Sequence, residues 1–494
     1  MFDFKALIDA LRGRAREDEY TGPSVTRLMA DVPKDAWLLA LTEIVKGIAA
    51  LNRDSKVALR ERYRAVLDFD EKARPLIHTL LNVYLGREKI EGVTPRHVMP
   101  SLVSSAQELA NAYKLCLKQH AQSPSSKFAE QAELITLRGI SYYALQAKWA
   151  YLRYFEPDNK VWRNLNRLYH IADSASFANK HIVRYEGEPA TSVGEQYLRA
   201  ALLKLAEPER RRPIEVWQIE EWLRTAVNRI KIEKTIRARE QTFGINLDEP
   251  KPPMKLRRNM IGERYRYLAT ETLSEFFTEA AKSMEIGMPR QLPTSHLDPA
   301  DAAKLLTDLA IVYSRAGQTR VRRSERTAVQ REVLAAIGLD AALELVMGNN
   351  NEAENWVLVD ESASGMGAEY KARLDDRLSV GELFAIRDQE GRLALHVVRR
   401  LAKTREGLVH VGSERIATQP VMISLSHAGQ VHRALFCNET AYGSRALVTH
   451  GFTWTPQDDF TLTAGGRHYG IKLGPKIDQF AEYQLTGFTV REKR

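Results

Sequence analysis

Apolar residues recur at helical intervals of three and four from about residue 34 to about residue 315. The pattern is clear at 37–48 and 73–85, and it is longest from Lys127 to Phe155. Alternation of β-branched residues is rare here, so this part is predicted to be an all-α domain of about eight to twelve helices. The stretch 242–257, rich in proline, glycine and lysine, interrupts the pattern and is predicted to be a loop.

Several helix starts can be read directly from the sequence. A serine or aspartate, whose side-chain oxygen can accept a hydrogen bond from a free backbone N–H, stands just before an apolar-periodic segment. Residues with this arrangement are Ser126, Asp158, Ser192 and Asp298.

After Asn355 the period changes to two, which is typical of strands. Short alternating segments lie at 393–398, 408–411, 421–425 and 433–436, and glycines separate them. Short strands at this spacing predict a small antiparallel β-barrel. Further strand-like segments between residues 460 and 490 predict additional strands at the C-terminal end.

The predicted fold class is therefore α+β, with three parts. Residues 1–315 form a large all-α interaction or output domain, and 355–494 form an antiparallel barrel with extra C-terminal strands. Residues 316–354 between them are predicted to be an Arg-rich hinge loop followed by a short helix, because the apolar run 333–346 favours a helix over one strand.

Composition sets limits on the compartment and the partners. The chain has 494 residues, a net charge of +9 and two cysteines far apart in sequence, which favours a reducing cytoplasm and an anionic partner. No apolar run reaches the length of about 18–20 residues that spans a bilayer. Residues Met1–Arg12 are predicted to be a short amphipathic helix that packs on its own domain or on a partner helix rather than on a membrane.

The strongest chemical signal consists of two short motifs. Arg322, Arg323 and Arg326 form an Arg-rich segment with an Arg-x-x-x-Arg pair; Asp360, Ser362 and Gly365 follow as Asp-x-Ser-x-x-Gly. Guanidinium groups suit phosphate oxygens and the O6/N7 edge of guanine. A carboxylate accepts hydrogen bonds from the N1–H and amino donors on guanine's other edge. Together the motifs predict a clamp for a guanine-containing phosphate ligand.

The order of these motifs resembles the PilZ domain family. The resemblance continues through the strand-like segments Trp356–Val359, Val380–Arg387, Leu395–Leu401 and Gly407–Glu414, and it spans roughly residues 320–426. It implies a barrel that binds the bacterial second messenger cyclic di-GMP. It also implies roles for the motif residues: Arg322 and Arg326 grip guanine and phosphate, Asp360 and Ser362 read the donor edge, and Gly365 permits a close backbone approach. The helical domain resembles no family that we recognise.

The resemblance implies a receptor rather than an enzyme, with cyclic di-GMP as ligand, no cofactor, and a protein partner bound through the helical domain. Family behaviour suggests control of motility, adhesion, polysaccharide production or virulence. The histidines form no convincing metal-ligand set, so no metal is expected. The sequence also fits a nucleotide-independent PilZ-like scaffold for protein contacts. A basic nucleic-acid-binding helical protein is a weaker alternative, because no nucleic-acid motif supports it.

Overall fold

The computed structural model describes residues 36–124, 126–237, 239–287, 292–318, 325–372, 378–443, 445–455, 457–479 and 483–493. The helix predicted at Met1–Arg12 lies outside these ranges. The chain divides into two compact units. Unit 1 holds the described residues up to Ala150 together with Pro157–Ala206 and Gln218–Gln318. Unit 2 holds Tyr151–Glu156, Glu207–Trp217 and the described residues after Gln318.

The predicted fold class is confirmed: a helical region is followed by antiparallel β-barrels. Among the described residues, the helical region contains nine α-helices. They are α1 (Trp37–Arg53), α2 (Leu59–Tyr84), α3 (Pro95–Gln122), α4 (Ser126–Tyr151), α5 (Asn159–Ser174), α6 (Val193–Leu205), α7 (Pro213–Ala226), α8 (Glu271–Glu285) and α9 (Pro299–Tyr313).

Three of the predicted helix starts are confirmed by their hydrogen bonds. Asp158 accepts from the backbone N–H of Lys160 at 2.8 Å at the start of α5. Asp298 accepts from Ala300 and Asp301 at 3.0 Å at the start of α9. Ser192 and Glu195 form a reciprocal capping box at the start of α6.

A buried carboxylate links three helices and a loop in unit 1. Asp70 on α2 is fully buried and accepts hydrogen bonds from the hydroxyls of Tyr113, Tyr142 and Tyr185. Arg138 donates to the same carboxylate at 3.3 Å. A buried charge is tolerated only when it is paired and hydrogen-bonded, and these four donors meet that requirement.

Unit 1 also contains a small antiparallel sheet that the sequence analysis missed. Its strands are β1 (Ile232–Glu233), β2 (Phe243–Asn246), β3 (Met254–Lys255) and β4 (Tyr265–Leu268), in the order β1-β4-β2-β3. The loop predicted over 242–257 is therefore wrong where β2 and β3 lie. Strands of two to four residues are too short to produce a readable alternation, which explains the error.

The first barrel of unit 2 has six antiparallel strands in the closed order β10-β7-β6-β5-β8-β9. The strands are β5 (Thr327–Ile337), β6 (Glu354–Ser362), β7 (Gly365–Lys371), β8 (Leu383–Arg387), β9 (Leu393–Lys403) and β10 (Leu408–Thr418). Its interior is aromatic: the fully buried Trp356 ring stacks on Tyr370 with ring centroids 4.6 Å apart and contacts Phe384.

The short helix predicted over 333–346 is present only as α10 (Leu339–Val346), and residues before it belong to β5. Val333, Ala335 and Ala336 are all buried, so β5 is covered on both faces near its end. A strand buried on both faces is a continuous apolar run, which resembles a buried helix. The domain boundaries placed at 315 and 354 stay predictions.

The additional C-terminal strands close a second six-stranded barrel in the order β11-β12-β13-β16-β15-β14. They are β11 (Val421–His427), β12 (Gln430–Cys437), β13 (Ala446–Thr449), β14 (Phe460–Ala464), β15 (Arg467–Gln479) and β16 (Gln484–Lys493). One apolar cluster runs from the first barrel through α10 to the second; it includes Leu395, Val397, Leu343, Leu435 and Val448. The two barrels of unit 2 therefore share a core.

Within the part of the chain that the structure describes, no helix is long and apolar enough to cross a membrane. Cys116 and Cys437 are both free thiols and buried.

Candidate ligand-binding site

A tight hairpin places the acidic motif on the first barrel. Strands β6 and β7 pair antiparallel, with Ser362 opposite Gly365 and Asp360 opposite Gly367. Only Ala363 and Ser364 connect them, so the motif spans the end of one strand, a two-residue turn and the start of the next.

The strand alternation shows which side of the barrel wall carries Asp360. Met366, Ala368 and Tyr370 on β7 all belong to the barrel core, so Gly367 between them faces away from it. The Asp360 carboxyl group lies over Gly367, where a Cβ atom would stand 2.9 Å from the carboxyl carbon and both oxygens. Asp360 therefore lies on the outer surface of the first barrel.

The structure brings Arg326 and Asp360 together. Arg326 precedes β5 and donates from Nη1 to Asp360 Oδ1 at 2.5 Å. The pair is accessible, with 42% of the arginine side chain and 32% of the aspartate side chain exposed. Arg322 and Arg323, the other cations of the predicted clamp, lie outside the described residues.

A second ion pair joins strands β5 and β6 of the first barrel. Arg331 Nη2 on β5 donates to Glu361 Oε2 on β6 at 2.8 Å. The register of β5 against β6 shifts between Ala328 and Arg331, which marks a β-bulge in the strand pair. Bulges re-aim side chains and are frequent beside binding sites.

Ser362 and Gly365 have local structural roles. The Ser362 hydroxyl donates to the Gly365 carbonyl oxygen at 3.1 Å across the turn. A Cβ atom at Gly365 would stand 2.0 Å from the backbone oxygen of Ser413 on β10. Glycine is thus required at position 365 because strands β7 and β10 of the barrel approach each other closely there.

Ser362 and Gly365 also line a cavity of about 340 Å³ at one end of the first barrel. Three arginines that the sequence analysis did not select line it as well: Arg331, Arg392 and Arg415. Arg392 is held by Asp388 at 2.7 Å, and Arg415 donates to the carbonyl oxygen of Ala363 in the hairpin turn. Correct assignment of 327–337 as a strand would have drawn attention to Arg331, which pairs directly with the motif-bearing strand.

His396 forms part of the inner wall of this cavity. It is almost fully buried, its Nδ1 lies 3.0 Å from the Ser413 hydroxyl, and its ring stacks on Phe384. Burial, together with the nearby charge of Arg415, lowers the pKa of His396 to about 3. The imidazole is therefore neutral at physiological pH and contributes hydrogen bonding rather than charge.

Metal binding finds no support in the described ranges, which contain no group of three or more His, Cys, Asp or Glu side chains able to hold an ion. The polar groups gathered at the hairpin are guanidinium donors and carboxylate acceptors. They suit a polar ligand that offers both acceptors for arginine and donors for Asp360.

Comparisons with known proteins bear on the helical half. No curated protein matches the chain. The resemblance of residues 320–426 to the PilZ family stays a prediction, because the family match that was found ends upstream of the barrels. The statement that the helical domain resembles no family is wrong. Residues 23–238 match the family described as cyclic-di-GMP receptor FimW, N-terminal domain.

Proposed function

We propose that this protein is a bacterial cytoplasmic receptor for cyclic di-GMP that binds its ligand on the outer wall of the first barrel. The supporting observation is that two parts of the chain that do not overlap suggest the same ligand. Residues 23–238 are similar to the N-terminal domain of a cyclic di-GMP receptor family, whereas the two motifs lie at 322–326 and 360–365.

The chemistry of the Arg326–Asp360 pair suits this ligand. Asp360 accepts hydrogen bonds from the N1–H and amino group of a guanine, and Arg326 donates to the guanine O6/N7 edge or to a phosphate oxygen. Gly367 has no side chain, and this allows the Asp360 carboxyl group to rest against its backbone. Arg322 and Arg323 are proposed to complete the phosphate contacts.

Binding requires the Arg326–Asp360 ion pair to open, and the energetics allow it. An exposed ion pair contributes about 0–1 kcal/mol to stability. Charge-assisted hydrogen bonds to a ligand contribute about 1.5–3 kcal/mol each. Each ligand contact therefore contributes more than the internal ion pair that it replaces.

We further propose that ligand binding changes the arrangement of the helical output domain. The arginines of the motif stand in the sequence between α9, which precedes the barrels, and the first barrel strand, β5. A ligand that contacts arginines in this segment and Asp360 on the barrel is proposed to bind two arrangements of the chain with different affinity, which is the requirement for a switch. Small-angle X-ray scattering with and without cyclic di-GMP tests this step. Identical scattering profiles at saturating ligand would show that the protein binds the ligand without changing its arrangement.

Calorimetric titration of cyclic di-GMP into the full chain tests the receptor itself. We expect saturable binding that Asp360→Ala or Arg326→Ala weakens about 10- to 100-fold, the loss of one charge-assisted contact. The variants Arg322→Ala and Arg323→Ala test whether these two arginines, which lie outside the described ranges, contribute to the affinity for cyclic di-GMP.

The chain offers a matched control in the same unit. Arg433 and Glu344 form an ion pair of 2.7 Å with 47% and 28% of the side chains exposed, close to the values for Arg326 and Asp360. Arg433→Ala and Glu344→Ala should leave the affinity unchanged. Absence of heat at high ligand concentration favours a nucleotide-independent scaffold. Conversion of the ligand to a linear dinucleotide during the titration would identify an enzyme instead.

A further inference from the structure

Unit 1 contains a cavity of about 530 Å³ that the barrel site does not involve. Its lining comes from four helices and the loop before α6: Arg74 on α2, Lys148 on α4, Arg199 on α6, Arg224 on α7, and Arg184 in the loop. Ligand pockets of proteins measure about 300–1,000 Å³, so this cavity can hold a small molecule. All of its lining residues lie within 74–228.

The charge of the lining is unbalanced. Five cationic side chains face three carboxylates, Glu188, Glu195 and Glu220, which leaves an excess of two positive charges. Glu195 is counted in this balance; its carboxylate accepts hydrogen bonds from Thr191 and the backbone N–H of Ser192 in the cap of α6 and lies 3.0 Å from His181 Nε2. Uncompensated charge in a partly buried cavity is costly unless an anion joins it.

On one side of the cavity, three cationic side chains contact the same carboxylate, that of Glu220. Lys148 Nζ donates to Glu220 at 3.0 Å, Arg224 donates at 3.1 Å, and Arg199 donates to the other carboxylate oxygen. Lys148 and Glu220 are almost fully buried, with 6% and 10% of their side chains exposed. Three cations thus converge on one compact anionic group and exceed its charge.

The protein does not satisfy this cluster completely. Arg199 uses Nη2 for Glu220 and Nη1 for Gln196 at 3.0 Å, whereas its buried Nε finds no hydrogen-bond partner among the described residues. Buried donors without a partner are rare in native structures and call for an explanation. A further acceptor in the cavity would provide one.

The other side of the cavity is also cationic. Arg184 and Arg74 share Glu188, at 2.9 and 3.0 Å, which leaves one more unbalanced positive charge. Both guanidinium groups lie near the ring of Tyr185, with the carbon atoms 5.2 and 4.5 Å from its centroid. Tyr185 is itself fixed by its hydrogen bond to the buried Asp70.

We propose that this cavity binds a small phosphorylated molecule through a terminal phosphate placed between the Glu220 and Glu188 clusters. A phosphate monoester carries about two negative charges at neutral pH and three acceptor oxygens. Its charge equals the excess of the lining, and its compact shape suits cations that already converge on single carboxylates. The proposal does not depend on the barrel site.

The test uses the full chain carrying Asp360→Ala, so that the barrel site is disabled. Inorganic phosphate, pyrophosphate and guanosine 5′-monophosphate are titrated calorimetrically at constant chloride. We expect binding that Arg224→Ala weakens about tenfold, through the loss of one charged contact. Arg224 is 62% exposed, so this variant should fold. Glu220→Gln should bind more tightly, because it removes the carboxylate that competes with the phosphate.

Arg237→Ala is the control for charge alone: it removes one positive charge from the same unit, is 50% exposed and does not line the cavity. No heat with any of the three anions, or equal affinity in the Arg224→Ala and Arg237→Ala variants, would overturn the proposal. Cyclic di-GMP is titrated in the same background. Binding that needs Arg224 but not Asp360 would support a phosphate site here and overturn the barrel assignment, so the two failures are distinguishable.

Discussion

The carboxyl group of Asp360 rests against the backbone of Gly367, with no room for a methyl group between them. The glycine is thus part of the candidate site even though it lies outside the Asp-x-Ser-x-x-Gly motif. Its missing side chain determines where Asp360 can lie, and the position of Asp360 determines whether Arg326 can reach it at 2.5 Å.

Gly367→Ala should therefore weaken cyclic di-GMP binding about tenfold, a loss near 1.4 kcal/mol, because the new methyl group displaces the carboxylate. Titration calorimetry measures the loss. The double variant with Asp360→Ala should bind no worse than Asp360→Ala alone, as expected when both changes act through one group. Gly451→Ala is the control, since a Cβ atom there has no neighbour within 4 Å. Additive losses in the double variant would contradict this explanation.

Gly365→Ala should lower the free energy of unfolding, and not only the affinity for the ligand. The added Cβ atom would stand 2.0 Å from the Ser413 carbonyl oxygen, and backbone cannot move aside as a flexible side chain can. We expect a loss of about 3 kcal/mol or more in the free energy of unfolding, which is large for a single substitution. Chemical denaturation followed by circular dichroism measures it. A variant as stable as wild type that no longer binds ligand would assign Gly365 to the ligand instead.

The sequence contained enough information for the fold class and for the strands with one buried face. The segments 393–398 and 408–411 alternate visibly and lie within β9 and β10. Strand β5 was missed because both of its faces are buried near Ala335, which removes the alternation. Closure of the second barrel depends on the pairing of β13 with β16, for example Ala446 with Gly487, and no local pattern encodes such a distant contact.

The candidate site was predicted only in part for a similar reason. Asp360 and Arg326 were found because a recurring motif links them across 34 positions. Arg331 and Arg415 belong to no motif, and they reach the hairpin only through the register of β5 and β10. The cation cluster around Glu220 combines residues from three helices. Arg224 follows Glu220 by four positions, but Lys148 and Arg199 precede it by 72 and 21 positions, and no spacing rule identifies them.

His396 should make the stability of unit 2 depend on pH. Burial lowers the pKa of its imidazole from 6.5 to about 3. Between these values the unfolded chain binds a proton and the folded chain does not, so the free energy of unfolding falls as the pH decreases. The loss from this group is roughly 2 kcal/mol between pH 6.5 and 4.5.

Denaturation of wild type and His396→Phe at both pH values isolates this contribution, because the other titrating groups are common to the two proteins. The variant should lose less stability than wild type over the interval, by roughly 2 kcal/mol. Parallel losses in the two proteins would show that the imidazole takes up its proton in the folded state as it does in the unfolded chain.

Substitution of Asp70 should lower the stability of unit 1 strongly. In Asp70→Asn one acceptor oxygen becomes an NH₂ group that faces the tyrosine hydroxyls, and Arg138 loses its buried counter-charge. Disruption of a buried ion pair costs about 3–5 kcal/mol. Thermal unfolding measures this, with Glu71→Gln as control: Glu71 also binds Arg138, at 2.7 Å, but is 52% exposed. Its loss should cost less than about 1 kcal/mol. Equal effects of the two substitutions would contradict a special role for burial.

Tyr154 connects a segment of the helical half of the sequence to the first barrel within unit 2. Its hydroxyl lies 2.8 Å from the Ser379 hydroxyl and accepts from the backbone N–H of Val380 at 3.1 Å, and its carbonyl oxygen accepts from Lys403 at 2.8 Å. Tyr154→Phe keeps the ring and the backbone contact but leaves the buried Val380 N–H without its acceptor. The expected cost is about 1–3 kcal/mol in the free energy of unfolding.

Tyr442→Phe provides the matched comparison, because the Tyr442 hydroxyl makes an exposed hydrogen bond to Asp478 at 3.3 Å. It should cost less than about 1 kcal/mol, since water replaces an exposed partner. Denaturation curves of wild type, Tyr154→Phe and Tyr442→Phe measure both losses in the free energy of unfolding. If Tyr154→Phe is no more harmful than Tyr442→Phe, the Tyr154 hydroxyl does not fasten 151–156 to the barrel, and the backbone bond to Lys403 holds that segment in place by itself.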